Sequence, residues 1–309
     1  MVSPWRAGSS TSLVAMLTHR EPIALADRRV VVLGATGFVG GSLVRHLTRA
    51  GVSVLALASH DVDLCEAGAD QVLGPLVRPD DALVFVAAIT PDKGKGVETL
   101  MRNLAMAETV HRFLQTARCS QVVYISSDAV YADQIEAIRE TSCASPTSFH
   151  GLMHLVRERL MVDATQTATT PLAILRPSLL YGAGDTHNGY GPNRFIRTAH
   201  ADRAIRLFGD GEEKRDHVYV EDLMRLMELC LIHRSEGVLN VATGCSHSFS
   251  EVAETVCGAS EAGVRIERLP RSTPISHRSF DITACLTAFP SFHYTDLKTG
   301  VAASIPAIA

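Results

Sequence analysis

The chain has 309 residues, of which 46% are hydrophobic, and its formal net charge is −4. This length and composition suit a nucleotide-binding domain with a smaller second domain. The small net charge excludes an electrostatic field that would recruit nucleic acid or an anionic membrane surface. No apolar run reaches the roughly 18 residues of a membrane-spanning helix.

The N-terminal residues and the cysteines indicate the compartment. Residues 1–26 lack the charged start and compact apolar stretch of a secretory signal, and we predict that they form an N-terminal extension without a chemical role. The seven cysteines have no paired spacing, which indicates reduced thiols rather than disulfides or a cysteine-bound metal. We therefore predict a soluble, cytoplasmic protein that acts on a small molecule.

A glycine-rich turn follows the first predicted strand. Residues 30–33 form an apolar, mostly β-branched run, residues 34–40 read Gly-Ala-Thr-Gly-Phe-Val-Gly, and a helical pattern follows from Ser42 to Ala50. In a dinucleotide-binding unit the first glycine permits the tight turn, the second lets a pyrophosphate approach, and the third lets helix and strand pack closely. This motif predicts cofactor contacts from Gly34, Thr36, Gly37, Phe38, Val39 and Gly40.

Strand-like and helical segments go on alternating after this motif. Residues 52–57, 82–88 and 121–127 are apolar and rich in β-branched residues, and helical patterns separate them. This alternation predicts an α/β fold with a Rossmann-type, doubly wound parallel sheet. The second strand ends at Leu57 without a directly following acidic residue to bind an adenosine ribose diol. Because Ser59 and His60 would tolerate a 2′-phosphate, we predict NADPH as the cofactor, with NADH as the alternative.

Four ordered motifs resemble those of the extended short-chain dehydrogenase/reductases, the NAD-dependent epimerase/dehydratase type. They lie at residues 34–40, 124–131, 175–182 and 215–223, and the likeness covers about residues 28–285. The resemblance implies an NADP-binding domain at 27–177 and 216–244, and a discontinuous substrate-binding region at 178–215 and 245–309. It also implies further cofactor contacts from Ser59, His60, Asp61, Ala87, Ala88, His154, Arg176 and Pro177.

Residues 126–129 match the part of the family that holds the substrate carbonyl. Ser127 matches the catalytic Ser or Thr, whereas strand alternation directs Ser126 to the opposite face. Asp128 matches an acid found in sugar dehydratases and in 4-ketoreductases, and we predict that it binds substrate. Ala129 stands where the dehydratases have a Glu, so Asp128 alone does not indicate dehydration.

The active-site helix of the family is recognisable at residues 146–158, but its two chemical residues are replaced. His150 stands where the family has Tyr, and His154 stands where it has Lys. His150 could act as the general acid, since an ordinary imidazole has a pKa of about 6.5, and His154 could bind the nicotinamide ribose. Glu158 shares their helix face at a spacing seen in metal sites, but the family commonly has this Glu without metal. We predict no metal, and loss of the Tyr–Lys mechanism is the remaining alternative.

The second domain offers several polar residues to a substrate. Asn193, Arg215 and Arg278 fall near positions that bind the diphosphate of nucleotide sugars in the resembling enzymes, and Arg suits bidentate phosphate contact. Asn193 could instead cap a helix, and Arg215 could pair with Asp216. The turn-forming stretch 186–191 could serve as a substrate-side loop.

Three functions are compatible with these features. The first is an NAD(P)H-dependent ketoreductase of an aromatic polyketide in antibiotic biosynthesis, because a substrate phenol could replace the missing Tyr; such chains resemble atypical angucyclinone ketoreductases, as in the simocyclinone pathway. The alternative is a nucleotide-sugar 4-ketoreductase or epimerase. The third is a nicotinamide-binding protein that has lost the reaction. We predict the first.

Overall fold

The computed structural model describes residues 16–134, 136–166, 169–185, 191–260, 263–272 and 274–308. Six parallel strands form the central sheet in the order β2-β1-β3-β4-β5-β9. Its strands are β1 (Val30–Leu33), β2 (Val54–Leu57), β3 (Ala82–Phe85), β4 (Gln121–Ile125), β5 (Leu172–Pro177) and β9 (Gly237–Val241). The predicted doubly wound parallel sheet is confirmed.

Helices cover both faces of this sheet. Val30 and Val32 pack into one apolar layer and Val31 and Leu33 into the other, as expected for a strand whose two faces are both buried. The first layer includes side chains of α1 and α6, and the second includes side chains of α2, α3 and α4. These helices are α1 (Phe38–Arg49), α2 (Ala69–Leu73), α3 (Val97–Thr116), α4 (Phe149–Gln166) and α6 (Val220–Ile232).

A smaller part of the molecule contains two further sheets. One has the order β10-β8-β6 and the other pairs β11 with β7. The predicted domain boundary between residues 215 and 216 falls inside the continuous strand β8, which pairs with β6 and β10. These elements are β6 (Leu179–Tyr181), α5 (Pro192–Asp202), β7 (Ala204–Phe208), β8 (Lys214–Tyr219), β10 (Ser246–Ser248), α7 (Phe249–Ala259), β11 (Arg265–Leu269), α8 (Thr283–Ala288) and α9 (Leu297–Ile308).

The described part of the N-terminal extension lies against the central sheet near β9. Thr18 and Glu236 exchange two backbone hydrogen bonds of 2.9 Å, and Leu17 is buried. Residues 1–15 of the predicted extension lie outside the described residues. Within the described ranges, no helix is long and apolar enough to cross a membrane.

Candidate active site

The glycine-rich turn brings β1, β3 and α1 into close contact. Gly34 has a φ of +96°, and a Cβ there would lie 2.6 Å from the Cα of Ala87. A Cβ on Gly40 would lie 2.2 Å from the carbonyl oxygen of Gly34. Neither position accepts a larger residue, which agrees with the turn and packing roles predicted for these two glycines.

Gly37, by contrast, is not required by internal packing. A Cβ on Gly37 would meet no atom closer than the Gly34 carbonyl oxygen at 3.4 Å. Thr36 and Gly37 are exposed, and Phe38 begins α1, so the first turn of the helix is accessible. A glycine at position 37 would therefore serve the close approach of a ligand. The exposed turn and the first turn of α1 fit the phosphates of a dinucleotide.

The loop after β2 brings Asp61 close to the end of the strand. Asp61 turns back, and its carboxylate accepts a hydrogen bond of 2.9 Å from the backbone N–H of Ala58. The His60 imidazole lies 3.4 Å from the same carboxylate and is 75% exposed. A carboxylate does therefore lie close to the strand end, where it would suit a ribose diol, while Ser59 and His60 still suit a 2′-phosphate. The strand end thus suits either cofactor, and the preference for NADPH stays a prediction.

Ser127 and Asp128 lie just beyond β4. The Ser127 hydroxyl accepts a hydrogen bond of 3.1 Å from the N–H of Ala129 and lies 3.4 Å from Asp128 Oδ1. The neighbouring Ser126 is buried and donates to Glu158 at 2.5 Å, on the opposite face as strand alternation requires. Ser127 is half-buried, which leaves it accessible for a substrate oxygen.

His150 lies next to this segment because of a glycine. A Cβ on Gly151 would lie 2.0 Å from the carbonyl oxygen of Ala129, so the start of α4 packs directly on the turn that follows Ser127. His150 is half-buried and lines a cavity of about 280 Å³ together with Lys95, Thr99 and Ser148. The fold thus brings the two predicted catalytic residues to adjacent segments.

His154 faces the protein interior. It is 5% exposed, and its Nδ1 lies 2.7 Å from the hydroxyl of Tyr124. Burial, together with the nearby His150 and Arg157, lowers the pKa of His154 well below its ordinary value. The imidazole is therefore neutral and cannot supply the charge of the Lys that it replaces.

Arg176 is engaged by protein groups. Its Nε and Nη2 donate to Glu158 at 2.9 and 2.6 Å, and its Nη1 donates to the Tyr131 hydroxyl at 2.6 Å. The Arg176 side chain is 3% exposed. Each nitrogen of this guanidinium thus has a protein partner, which gives Arg176 a structural role, and its contact with a cofactor stays a prediction. Pro177 ends β5 directly after it.

The same ion pair uses the carboxylate of Glu158, which shares a helix face with His150 and His154 at a spacing seen in metal sites. Glu158 is occupied by Arg176 and Ser126 and is not free to join His150 and His154. In the part of the chain that the structure describes, no three His, Cys, Asp or Glu side chains are grouped so as to hold a metal ion.

The predicted substrate residues are also engaged by protein groups. Asn193 is 3% exposed and donates to the carbonyl oxygen of Gly182 and to Asp185, at 2.9 and 2.8 Å, while its own oxygen accepts from Gly182 N. Three of the four hydrogen bonds that this amide can make thus hold the strand end beside α5. Asn193 therefore has a structural role in this structure, and its contact with a substrate stays a prediction.

Both arginines predicted near a diphosphate are paired with carboxylates. Arg215 Nη2 lies 2.5 Å from Glu213, so the alternative pairing of Arg215 with Asp216 is wrong. Arg278 lies 2.9 Å from Asp128 and 2.7 Å from Asp133. Asp128 is thus held by Arg278 in this structure, and a phosphate would have to displace these carboxylates. Residues 186–190 of the predicted substrate-side loop lie outside the described residues.

Several residues of the site were not found from the sequence. Tyr124 bonds His154, Arg157 packs on the ring of Tyr124, and Lys95 shares the cavity with His150. The sequence signal for Arg157 is that it is a charged residue, directly before Glu158, on a helix that packs against the sheet. Arg157 lies three residues after His154 on the same helix, a spacing that places the two side by side, whereas no local pattern links Tyr124 or Lys95 to the histidines.

The parallel sheet and the glycine turn define a protein of the Rossmann type. The model of the NAD dependent epimerase/dehydratase family matches residues 30–242. The chain belongs to this family, as its motifs predicted.

Known relatives cover almost the whole chain. The ADP-L-glycero-D-manno-heptose-6-epimerase of Alkalilimnicola ehrlichii is 26% identical, over 91% of this chain and 97% of its own length. The UDP-glucose 4-epimerase of Thermus thermophilus, solved with NAD, has a TM-score of 0.78 at 22% identity and covers 91% of this chain and 98% of its own. A GDP-L-fucose synthetase from Naegleria fowleri has a TM-score of 0.83 at 17% identity and covers 94% of this chain and 96% of its own. The two structures show a shared fold.

Proposed function

We propose that this chain is a cytoplasmic, nicotinamide-dependent enzyme that acts on a nucleotide sugar as an epimerase or 4-ketoreductase. The observation that carries the proposal is the position of His150, which is half-buried beside a cavity and on a segment adjacent to Ser127. The family and the named relatives, which are nucleotide-sugar enzymes, favour this substrate class over the aromatic polyketide that the sequence first suggested.

The residues of the site have distinct roles in this proposal. The glycine turn at 34–40 would hold the dinucleotide, whose nicotinamide supplies or accepts a hydride at a sugar carbon. His150 would give a proton to the sugar oxygen or take one from it, and Ser127 would hydrogen-bond that oxygen. A positioned imidazole contributes about 10²–10⁴-fold to such a step. His154, neutral and buried, is the weaker candidate for proton transfer.

Reduction of an aromatic ketone remains a second candidate function, because the two arginines predicted to bind a diphosphate are already paired. Arg215 and Arg278 are each paired with a carboxylate, which disfavours a diphosphate at these positions. A phenolic ketone needs no diphosphate site, and its internal hydrogen bond could replace the proton donor. In that case His150 would contribute little to the rate.

Kinetics of His150→Phe on two substrate classes test the proposal. The wild type and the variant are assayed with NADPH and NADH on a panel of 4-keto nucleotide sugars and on an aromatic hydroxyketone. Epimerisation of ADP- and UDP-sugars is followed by product analysis. On a nucleotide sugar we expect turnover, and a loss of about 10²-fold or more in the variant. His200→Phe, at an exposed position on α5, is the matched control.

Two other outcomes contradict the proposal. Reduction of the aromatic ketone alone, with His150→Phe nearly as active as the wild type, establishes the second candidate. Tight binding of a nicotinamide cofactor without turnover of any substrate in the panel indicates a protein that has kept the fold and lost the reaction.

A further inference from the structure

A buried phenol and a buried imidazole are hydrogen-bonded to each other between β4 and α4. Tyr124 is fully buried, His154 is 5% exposed, and the Tyr124 hydroxyl lies 2.7 Å from His154 Nδ1. Burial raises the pKa of Tyr124 and lowers that of His154, so both rings are neutral near pH 7. The direction of their hydrogen bond therefore decides which imidazole nitrogen carries the proton.

The available acceptors determine that direction. If His154 donated from Nδ1, the hydroxyl proton of Tyr124 would need a second acceptor. Among the described residues, the Tyr124 hydroxyl has no hydrogen-bond partner other than His154. A buried hydroxyl without an acceptor is disfavoured about tenfold or more. This favours donation from Tyr124 to Nδ1, which leaves the proton of the imidazole on Nε2.

Arg157 packs against the same phenol. Its guanidinium carbon lies 5.4 Å from the centroid of the Tyr124 ring and 4.2 Å from that of Phe85. Arg157 is 1% exposed, and in the described part of the chain it has no carboxylate partner; the adjacent Glu158 pairs with Arg176. A cation beside a phenol lowers its pKa and makes it a stronger hydrogen-bond donor. Arg157 thus favours donation from Tyr124 to His154.

Arg157 also connects this group to the glycine turn. Its Nη2 donates to the carbonyl oxygen of Ala87 at 2.7 Å. Ala87 is the residue that packs on Gly34, at the start of the dinucleotide-binding segment. On the other side, the rings of His150 and His154 meet edge to face with their centroids 4.7 Å apart. The buried group therefore lies between the cofactor segment and the proposed proton donor.

We propose that Tyr124 and Arg157 are positioning residues that hold His154 as its Nε2–H tautomer, a fixed, neutral hydrogen-bond donor beside His150 at the cofactor site. The inference rests on the proposed function for the presence of a nicotinamide cofactor there. A fixed Nε2–H would let the imidazole donate a hydrogen bond at the helix position where the family has a lysine, although it lacks the lysine's charge.

The tautomer can be measured on the free protein by NMR of ¹⁵N-histidine-labelled samples, with His154→Phe used to assign the signals. We expect the wild type to show a protonated Nε2 in at least about a tenfold excess over a protonated Nδ1. Tyr124→Phe should reduce this ratio about tenfold, and Arg157→Met should reduce it in the same direction. Tyr131→Phe is the control, because this equally buried phenol bonds Asn240 and Arg176 instead.

An excess of the Nδ1–H form in the wild type, or an unchanged ratio in Tyr124→Phe, overturns the assignment of the tautomer. Cofactor affinity tests the donor role separately: His154→Phe should bind NADPH about tenfold more weakly than the wild type and than Tyr131→Phe. Equal affinity overturns that role. If no nicotinamide cofactor binds the wild type, the proposed function and the donor role fail, while the tautomer assignment stands on its own spectra.

Discussion

The attachment of α4 to the central sheet depends on a buried ion pair, whose removal should be costly. Glu158 receives two hydrogen bonds from Arg176, of 2.6 and 2.9 Å, and one of 2.5 Å from Ser126. The two charged side chains are 6% and 3% exposed. Each hydrogen bond to a charged group contributes about 1.5–3 kcal/mol. Glu158→Ala should lower the free energy of unfolding by about 3–5 kcal/mol after relaxation, because it leaves a buried guanidinium without its counterion.

Urea unfolding at pH 7, followed by circular dichroism, measures this loss. The double variant Glu158→Ala with Arg176→Met should recover about 2 kcal/mol relative to the single variant, since the unpaired charge is gone. Glu108→Ala is the control: its partner Arg112 lies at 2.9 Å, but the side chains are 62% and 43% exposed, so the loss should stay below about 0.5 kcal/mol. A loss below about 1 kcal/mol in Glu158→Ala, or no recovery in the double variant, would show that the buried pair is not what holds α4 on the sheet.

Three further outcomes are expected. Ser127→Ala should lower turnover by about 10²-fold while cofactor binding persists, and unchanged turnover would remove Ser127 from the site. Direct titration should show tighter binding of NADPH than of NADH, with the preference reduced in His60→Asp; tighter binding of NADH by the wild type would contradict it. Burial lowers the pKa of His217 from its ordinary 6.5 to about 3, so the unfolded state binds a proton first and stability falls as the pH decreases from about 6.5 towards 3. His217→Phe should remove about 1.4 kcal/mol per pH unit from this slope, while the contribution of His154, whose pKa burial also lowers, remains; an unchanged slope would contradict the assignment.

The central fold was predictable because it depends on local patterns. Apolar, β-branched runs that alternate with helical segments specify a parallel sheet covered on both faces, and this sheet is present. Gly34 and Gly40 are required by a positive φ and by close backbone contacts, which are properties of one short turn. The family was likewise evident from motifs that are each contiguous in the chain.

The partners of the polar side chains were not predictable, because they come from distant parts of the chain. Arg278 meets Asp128 across 150 positions, and Arg176 meets Glu158 across 18. Such pairings depend on how strands and helices pack, and they turn residues expected to bind ligands into structural ones. The sheet, the glycine turn and the placing of two histidines on one helix all follow from residues close together in the sequence. The contact between Tyr124 and His154 does not, because it forms only when α4 packs on β4. That packing buries the imidazole, which lowers its pKa and keeps it neutral.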